Sequence, residues 1–355
     1  MTALARDPKV IRLAQELGLS TRGDCVEAIR ELAVDKVRQH EEELGALVRI
    51  TNLDTLRRAL ANSLHAKIEM IDSDGDVERI AERWVDFHPH LAQRLREEFL
   101  EGSTEGITLA RDGWVPGACR FLLVIDARGE RSSRAYFTAW HEVTHLLIQP
   151  EQLEFVVLRR TPTRAEVRKD PLESVVDHIA GKLAFYQPFF EPVIRAEIER
   201  AGELTFRVVE AARDIATPTA SLLAAATASI EYTRVPTTLL TVEPRLKASE
   251  ARARRSAQQD LGFGISVDGG AALRVVTCIS NTAAGRRTFE LHPNIRVPDG
   301  CVLSHAHSTP MDLELSADED QGWWETSQRG PLSPLPLRVC AARRGRFVYG
   351  LISTR

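Results

Sequence analysis

The sequence predicts an α+β chain of several domains, and three features predict it. Apolar residues at helical spacing fill residues 1–65 and recur at 134–147 and 170–186. Short alternating or continuous apolar runs at 66–72, 107–111 and 120–126 read as a small sheet between those helices. Beyond residue 259, strand-like runs separated by Gly, Pro and Asn turns take over. A chain of 355 residues can hold two or three domains with ample cores. The expected divisions are a helical segment at 1–65, a sheet-and-helix domain at 66–203 and helix-turn-helix-like helices at 204–241. A linker at 242–258 and a C-terminal α/β or mostly β domain at 259–355 follow.

Segments 8–19, 24–45 and 52–65 are the first helices; Ser20-Thr21-Arg22-Gly23 breaks the first pair, and Asp24 is placed to cap the second. Such a pair is either a DNA-binding element or a packing module, and the absence of basic clustering on one helix favours packing. Residues 66–72 alternate as a strand. The acidic turn Asp72-Ser73-Asp74-Gly75-Asp76 opens like a calcium loop but lacks the closing glutamate, which argues against calcium. Residues 77–100 read as helix interrupted at Pro89, with His88 and His90 as surface residues beside the break. The strands 107–111 and 120–126 are joined through Trp114-Val115-Pro116-Gly117, and the edge of their sheet suits an added peptide strand.

Composition bounds the function. The hydrophobic fraction of 43% is that of an ordinary globular protein, and no run of about 18 apolar residues marks a membrane span. The opening MTALARDPKV lacks the apolar core of a signal peptide, and five scattered cysteines form no C-x-x-C pair, so a reducing cytoplasm is expected. A net charge of −4 supplies no general drive toward nucleic acid.

The chemistry concentrates in His141-Glu142-Val143-Thr144-His145, an HExxH pattern inside a segment free of Gly and Pro. One helical turn puts both imidazoles on one face, where they can grip a Zn²⁺ while Glu142 stands beside it as a base for bound water. The alternative is two surface histidines on an amphipathic helix. A third ligand decides between them. Asp170 is a natural N-cap with Pro171 at the first helical position, and Val175, Val176, Ile179, Leu183 and Tyr186 form a buried stripe. Beside that stripe Glu173 can complete the ligand set, and Asp177 can accept the free N–H of a ligating imidazole. Both carboxylates on a solvated face is the rival arrangement, and His178 is a rival ligand a quarter-turn from Asp177.

Downstream, 206–215 and 219–233 read as short helices joined at Ala216-Thr217-Pro218. The second contains no Lys or Arg, so Ala-rich packing helices are expected there and direct DNA contact is not. Strands are expected at 262–268, 272–280, 288–292, 301–307, 337–342 and 346–353. On the run 301–307, Cys301, His305 and His307 would share one strand face, without further residues to complete a second metal site.

The strand Arg120 to Asp126, the segment Tyr136-Phe137-Thr138-Ala139-Trp140-His141-Glu142-Val143-Thr144-His145-Leu146-Leu147, and the helix from Glu173 through Asp177 toward Pro188 together resemble the ImmA/IrrE family of zinc metallopeptidases. The likeness spans roughly residues 106–236; Trp140 stands where the family carries a small residue, Thr144 where it carries Gly or Ser, and the stretch 184–188 is longer than usual. The resemblance implies a zincin-like peptidase domain at 66–203, with Glu173 as third ligand and Asp177 at a position commonly Asn or Asp. It also implies helix-turn-helix-like helices and a GAF-like sensory C-terminal domain, for which a dimerisation or structural cap, and hence a homodimer, is the competing reading.

The implied activity is a zinc endopeptidase, with Mn²⁺ as an admissible substitute, that cuts a helix-turn-helix repressor to release a stress, DNA-damage or mobile-element response. Glu142 would be the catalytic base, and Tyr186 and Tyr232 are candidates for stabilising the transition state, core packing being the alternative for both. The competing functions are a non-proteolytic zinc-fold sensor or DNA-binding regulator, and an aminopeptidase of digestive type.

Overall fold

Caps and chain breakers set the first helices. In the computed structural model, which describes residues 3–45, 50–88, 90–101, 104–111, 113–149, 157–160, 170–247, 250, 252, 271–284, 289–326, 330–345 and 347–355, α1 (Pro8–Glu16) starts with a proline, and Asp7 accepts from the Lys9 N–H. Helix α2 (Cys25–Gly45) begins where Asp24 Oδ1 accepts from the Val26 and Glu27 amides, and α3 (Leu53–Ser63) opens on a capping box between Asn52 and Thr55. Contacts divide the chain into two units, Met1–Glu191 with Arg213–Ser221, and Pro192–Ala212 with Leu222–Arg355.

The first unit is built on a four-stranded sheet of order β1-β3-β2-β4, with β1 (Ala66–Ile71) parallel to β3 (Phe121–Asp126). Strand β2 (Thr104–Ala110) runs antiparallel to β3 and to the edge strand β4 (Val157–Arg160), which the sequence reading did not anticipate. All six β3 residues are buried, as expected of a strand covered on both faces. Its alternate residues Leu122 and Val124 join Ile107 and Leu109 of β2 in a core with α4 (Asp74–Arg83) and α5 (Leu91–Arg96). Ile125 faces the other way, onto Ala135 and Ala139 of α6 (Ser132–Ile148).

The expected helix over 77–100 is two helices followed by a π turn at Glu97–Glu101; α4 ends at Arg83, before Pro89, which lies outside the described residues. The acidic turn is a helix start: Asp76 accepts from the Ser73 and Asp72 amides and from Arg79. Helix α6 packs on β2 and β3, flanked by α2, α3 and α7 (Pro171–Leu183). Pro150, expected to stop α6, lies outside the described residues, but the helix ends just before it. A further helix, α8 (Gln187–Ala201), follows, with prolines at 188 and 192. Pro188 sits in the first turn, where a missing N–H costs nothing.

The second unit carries a five-stranded antiparallel sheet of order β6-β5-β11-β10-β7. Helices α9 (Phe206–Ala216) and α10 (Leu222–Ser229) precede β5 (Thr237–Arg245). That strand occupies residues read as the end of the helical region and the start of the linker; most of the remaining linker, and the expected strand 262–268, lie outside the described residues. Strands β6 (Ala272–Ser280), β10 (Pro336–Arg344) and β11 (Phe347–Thr354) occur where expected, while 289–292 is irregular and β7 (Glu314–Asp320) was not foreseen. A two-stranded ribbon, β8 (Glu325–Thr326) with β9 (Gly330–Pro331), completes the strands.

The expected strand 301–307 is helix α11 (Val302–Ser308). Its buried residues Val302, Leu303 and Ala306 repeat at helical spacing, and Glu319 Oε1 accepts from the Val302 N–H at 2.6 Å. A Cβ on Gly350 would stand 2.8 Å from Leu303 Cδ2, so glycine there lets α11 seat on the sheet. In a helix Cys301, His305 and His307 no longer share a face, which removes the arrangement on which a second metal site would depend. Among the described residues, no helix is long and apolar enough to cross a membrane. All five cysteines are free.

A buried ion pair ties the first unit together beside α6. Arg57 and Asp54 of α3 bond at 2.8 Å, Arg57 also donates to the Tyr136 carbonyl at 3.2 Å, and Thr219 donates to Asp54 at 2.6 Å. Breaking such a pair leaves one uncompensated charge in the interior. Arg57→Leu is therefore expected to lower stability to urea by about 3–5 kcal/mol, with the Asp54→Leu/Arg57→Leu double variant closer to wild type than the single one.

Candidate metal centre

A single helix brings the reactive groups together. His141 and His145 lie one turn apart on α6, both buried, with ring centroids 4.8 Å apart and Nε2 atoms 3.1 Å apart. Glu173, in the first turn of α7, reaches between them, with Oε2 3.1 Å from His141 Nε2 and Oε1 3.4 Å from His145 Nε2. The Asp170 side chain caps that turn through the Leu172 amide at 2.9 Å, and Pro171 starts it, so a proline and a cap fix where Glu173 points.

The outer nitrogens have acceptors of their own. His141 Nδ1 lies 2.8 Å from Asp177 Oδ1, and His145 Nδ1 lies 3.4 Å from Gln149 Oε1. Carbonyl and carboxylate oxygens can only accept, so each ring carries its proton on Nδ1 and turns an Nε2 lone pair toward the shared point. Two lone pairs facing each other repel, and a cation placed between them would turn that repulsion into attraction. His141, His145 and Glu173 offer ligand atoms within 4.8 Å of one another, and among the described residues they are the group with metal-ligand geometry. Burial pushes the Glu173 carboxyl up, but the imidazoles of His141 and His145 beside it outweigh that and hold the group well below the usual carboxylate range, as an anion. The group could hold a metal ion.

Glu142 completes the arrangement from the same helix. Its side chain is wholly buried; Oε2 accepts from Thr108 Oγ1 at 2.6 Å, and Oε1 has no hydrogen-bond partner among the described residues. A buried carboxylate oxygen without a donor is costly, so this one fits a group that arrives with the ligand. Strand β2 makes the room. A Cβ on Gly106 would lie 2.7 Å from Thr138 Cγ2 and 3.4 Å from Glu142 Oε1. The pairing of β2 with β4 shifts register between Thr104 and Gly106, an irregularity of the kind that re-aims side chains beside functional sites.

The structure thus brings His141, Glu142, His145, Glu173 and Asp177 into one cluster. His178 is exposed and stands outside it. Tyr186 does not belong there: Glu173 lies in the first turn of α7 and Tyr186 past its far end, which is itself about 15 Å of helix from Glu173. Tyr186 is a core residue, its hydroxyl raised to about 12 by burial and by the charge of Glu41. Tyr232 belongs to the second unit, where it lines a cavity of about 750 Å³ with Arg195, Arg338 and Leu351. Thr108, Gly106 and Gln149 were not read from the sequence. The Gly-x-Thr spacing puts the first two on one strand face, but nothing in the strand alone says that α6 lies over that face.

No protein-family model matches the chain, and no curated protein matches its sequence.

Removing the acceptor on His141 frees its ring to turn and to exchange tautomers. Asp177→Ala is expected to weaken Zn²⁺ binding about 10–100-fold in competition with a chromogenic chelator, with an unchanged circular dichroism spectrum.

Proposed function

We propose that this protein is a zinc-dependent endopeptidase. The observation that carries the reading is the buried, unpartnered Glu142 Oε1 standing one residue from His141 in the three-donor cluster. Two neutral imidazoles and one carboxylate form the ligand set of catalytic zinc, which keeps a position open, and Mn²⁺ can take the same donors. A divalent cation held there supplies Lewis-acid polarisation of a peptide carbonyl and lowers the pKa of its water to about 7. Glu142 Oε1 accepts the proton released as the carbonyl is attacked and passes it to the leaving amine. Asp177 keeps the His141 proton on Nδ1 throughout, and Gln149 serves His145 in the same way.

A peptide substrate suits the surroundings. Strand β2 lies under Glu142, and β4 carries the edge of the sheet beyond it, along which an extended chain can pair by strand addition. The substrate class is read from the ImmA/IrrE resemblance: a helix-turn-helix repressor, cut to switch on a stress, DNA-damage or mobile-element response in the cytoplasm. The second unit is read as a sensory, GAF-like module, and its antiparallel sheet and a cavity within the size range of small-molecule sites support that role.

The test is incubation of the Zn²⁺-loaded protein with any helix-turn-helix repressor whose gene adjoins its own. Cleavage at one site is expected, with Glu142→Gln slowed about 10²–10⁴-fold while holding one metal ion per chain. Equal cleavage by Glu142→Gln, or sequence-specific duplex binding without any cleavage, would overturn the proposal in favour of a non-proteolytic regulator.

A further inference from the structure

Strand β2 holds more than half of the environment of Glu142. The Thr108 hydroxyl is buried and donates to Oε2 at 2.6 Å, a short bond to a charged acceptor. Two residues earlier on the same face, Gly106 leaves the space beside Oε1 that any side chain would fill. Ile125 and Thr138 close the remaining sides of that space, at 3.3 and 2.7 Å from where a Gly106 Cβ would stand. One carboxylate oxygen is therefore pinned by a neutral donor and the other is kept clear, although a Glu side chain left to itself has three rotatable bonds and a nearly free terminal torsion.

We propose that Thr108 is a positioning residue for Glu142: its hydroxyl occupies Oε2 and fixes the carboxylate plane, so that Oε1, over Gly106, is the oxygen that receives a proton. This rests on the reading of Glu142 as the base. A neutral hydroxyl suits the task. Lys or Arg in its place would compete with the incoming proton through its own charge, and an apolar residue would leave both oxygens without a donor. In the absence of the hydroxyl the carboxylate turns about its terminal torsion, and proton acceptance suffers while the ligands on His141, His145 and Glu173 are untouched.

A probe that hands over a proton separates this from a purely structural role. Acetohydroxamic acid binds a divalent cation through both oxygens, and its O–H bond breaks as the proton passes to a neighbouring carboxylate; azide binds as an anion and delivers none. Co²⁺-loaded wild type, Thr108→Val, Thr108→Ser and Glu142→Gln would be titrated with both and read by visible absorption. All four should take up Co²⁺ equally. Thr108→Val should bind acetohydroxamate about tenfold or more weakly, the loss of a hydrogen bond to a charged group, with azide affinity unchanged, and Thr108→Ser should restore the wild-type ratio.

A merely structural threonine would lower the melting temperature of Thr108→Val and leave the acetohydroxamate-to-azide ratio as in wild type, which would overturn the proposal. Thr108→Ala, which removes the hydroxyl without adding bulk, repeats the measurement if Thr108→Val does not fold. The two readings fail differently. Wild type without Co²⁺ uptake overturns the metal centre itself, and a Glu142→Gln ratio equal to wild type overturns the base, whereas an altered ratio in Glu142→Gln with an unchanged one in Thr108→Val overturns only the role of Thr108.

Discussion

A helix buried on every side must satisfy each polar group it carries without help from water, and α6 is such a helix. From Ala135 to Ile148 only Phe137 escapes burial. Desolvating imidazole and carboxylate groups costs several kcal/mol unless partners replace the lost hydration. The first unit supplies most of them, with Glu142 Oε1 and Thr138 Oγ1 left without a hydrogen-bond partner among the described residues. β2 brings Thr108 to Glu142, α7 brings Asp177 and Glu173 to His141, and the helix's own terminus brings Gln149 to His145. Even the last turn is served, since Lys36 of α2 donates to the Leu147 carbonyl at 2.7 Å. The apolar residues of α6 secure its position, and these partners set which way its polar groups face.

The fit between α6 and α7 comes from one repeated spacing. His141 and His145 stand four residues apart, and so do Glu173 and Asp177. On each helix that interval covers about one turn, so the two pairs meet as matched rungs. Glu173 touches both inner nitrogens, while Asp177, a turn further along, reaches the outer nitrogen of His141. The carboxylate between the inner nitrogens and the acceptor of the outer one thus come from one short segment, and a carboxylate in the first turn of α7 also sits where the helix dipole favours negative charge.

Much of this was legible because it is written in local periodicity. The HExxH spacing, the Gly- and Pro-free run around it, and the Asp170-Pro171 start of α7 all depend on neighbours within a turn or two. What was not legible depends on partners distant in sequence or on ambiguous patterns. Strand β7 is acidic and lies at a sheet edge, where burial leaves little apolar alternation to read. Residues 301–307 have apolar positions that satisfy a two-residue and a helical period at once, and the contact with Gly350 that favours the helix is more than forty residues away. Tyr186 was legible as a core residue, but that it lies beyond the end of α7, far from Glu173, becomes plain only when the helix is laid out in space. Thr108 and Gly106 belong to the same class: their importance arises from the helix that crosses them.

That crossing makes strand register a chemical constraint on the site. The ligands are carried by helices, whose relative position rests on side-chain packing, whereas the holder of Glu142 is carried by a strand, whose position rests on ladder hydrogen bonds to β3. Side chains alternate along a strand, so a slip of one residue between β2 and β3 would exchange the faces. Ile107 and Leu109, now in the core with α4 and α5, would then press against α6, and Gly106 and Thr108 would face away. Branched carbon would lie against a buried carboxylate that now has one donor and one clear side. The imidazoles and Glu173 would still meet, but Glu142 would have neither its anchor nor its opening. The three-donor cluster and the surroundings of Glu142 therefore depend on different contacts of the same helix, and only the second is lost when the sheet slips.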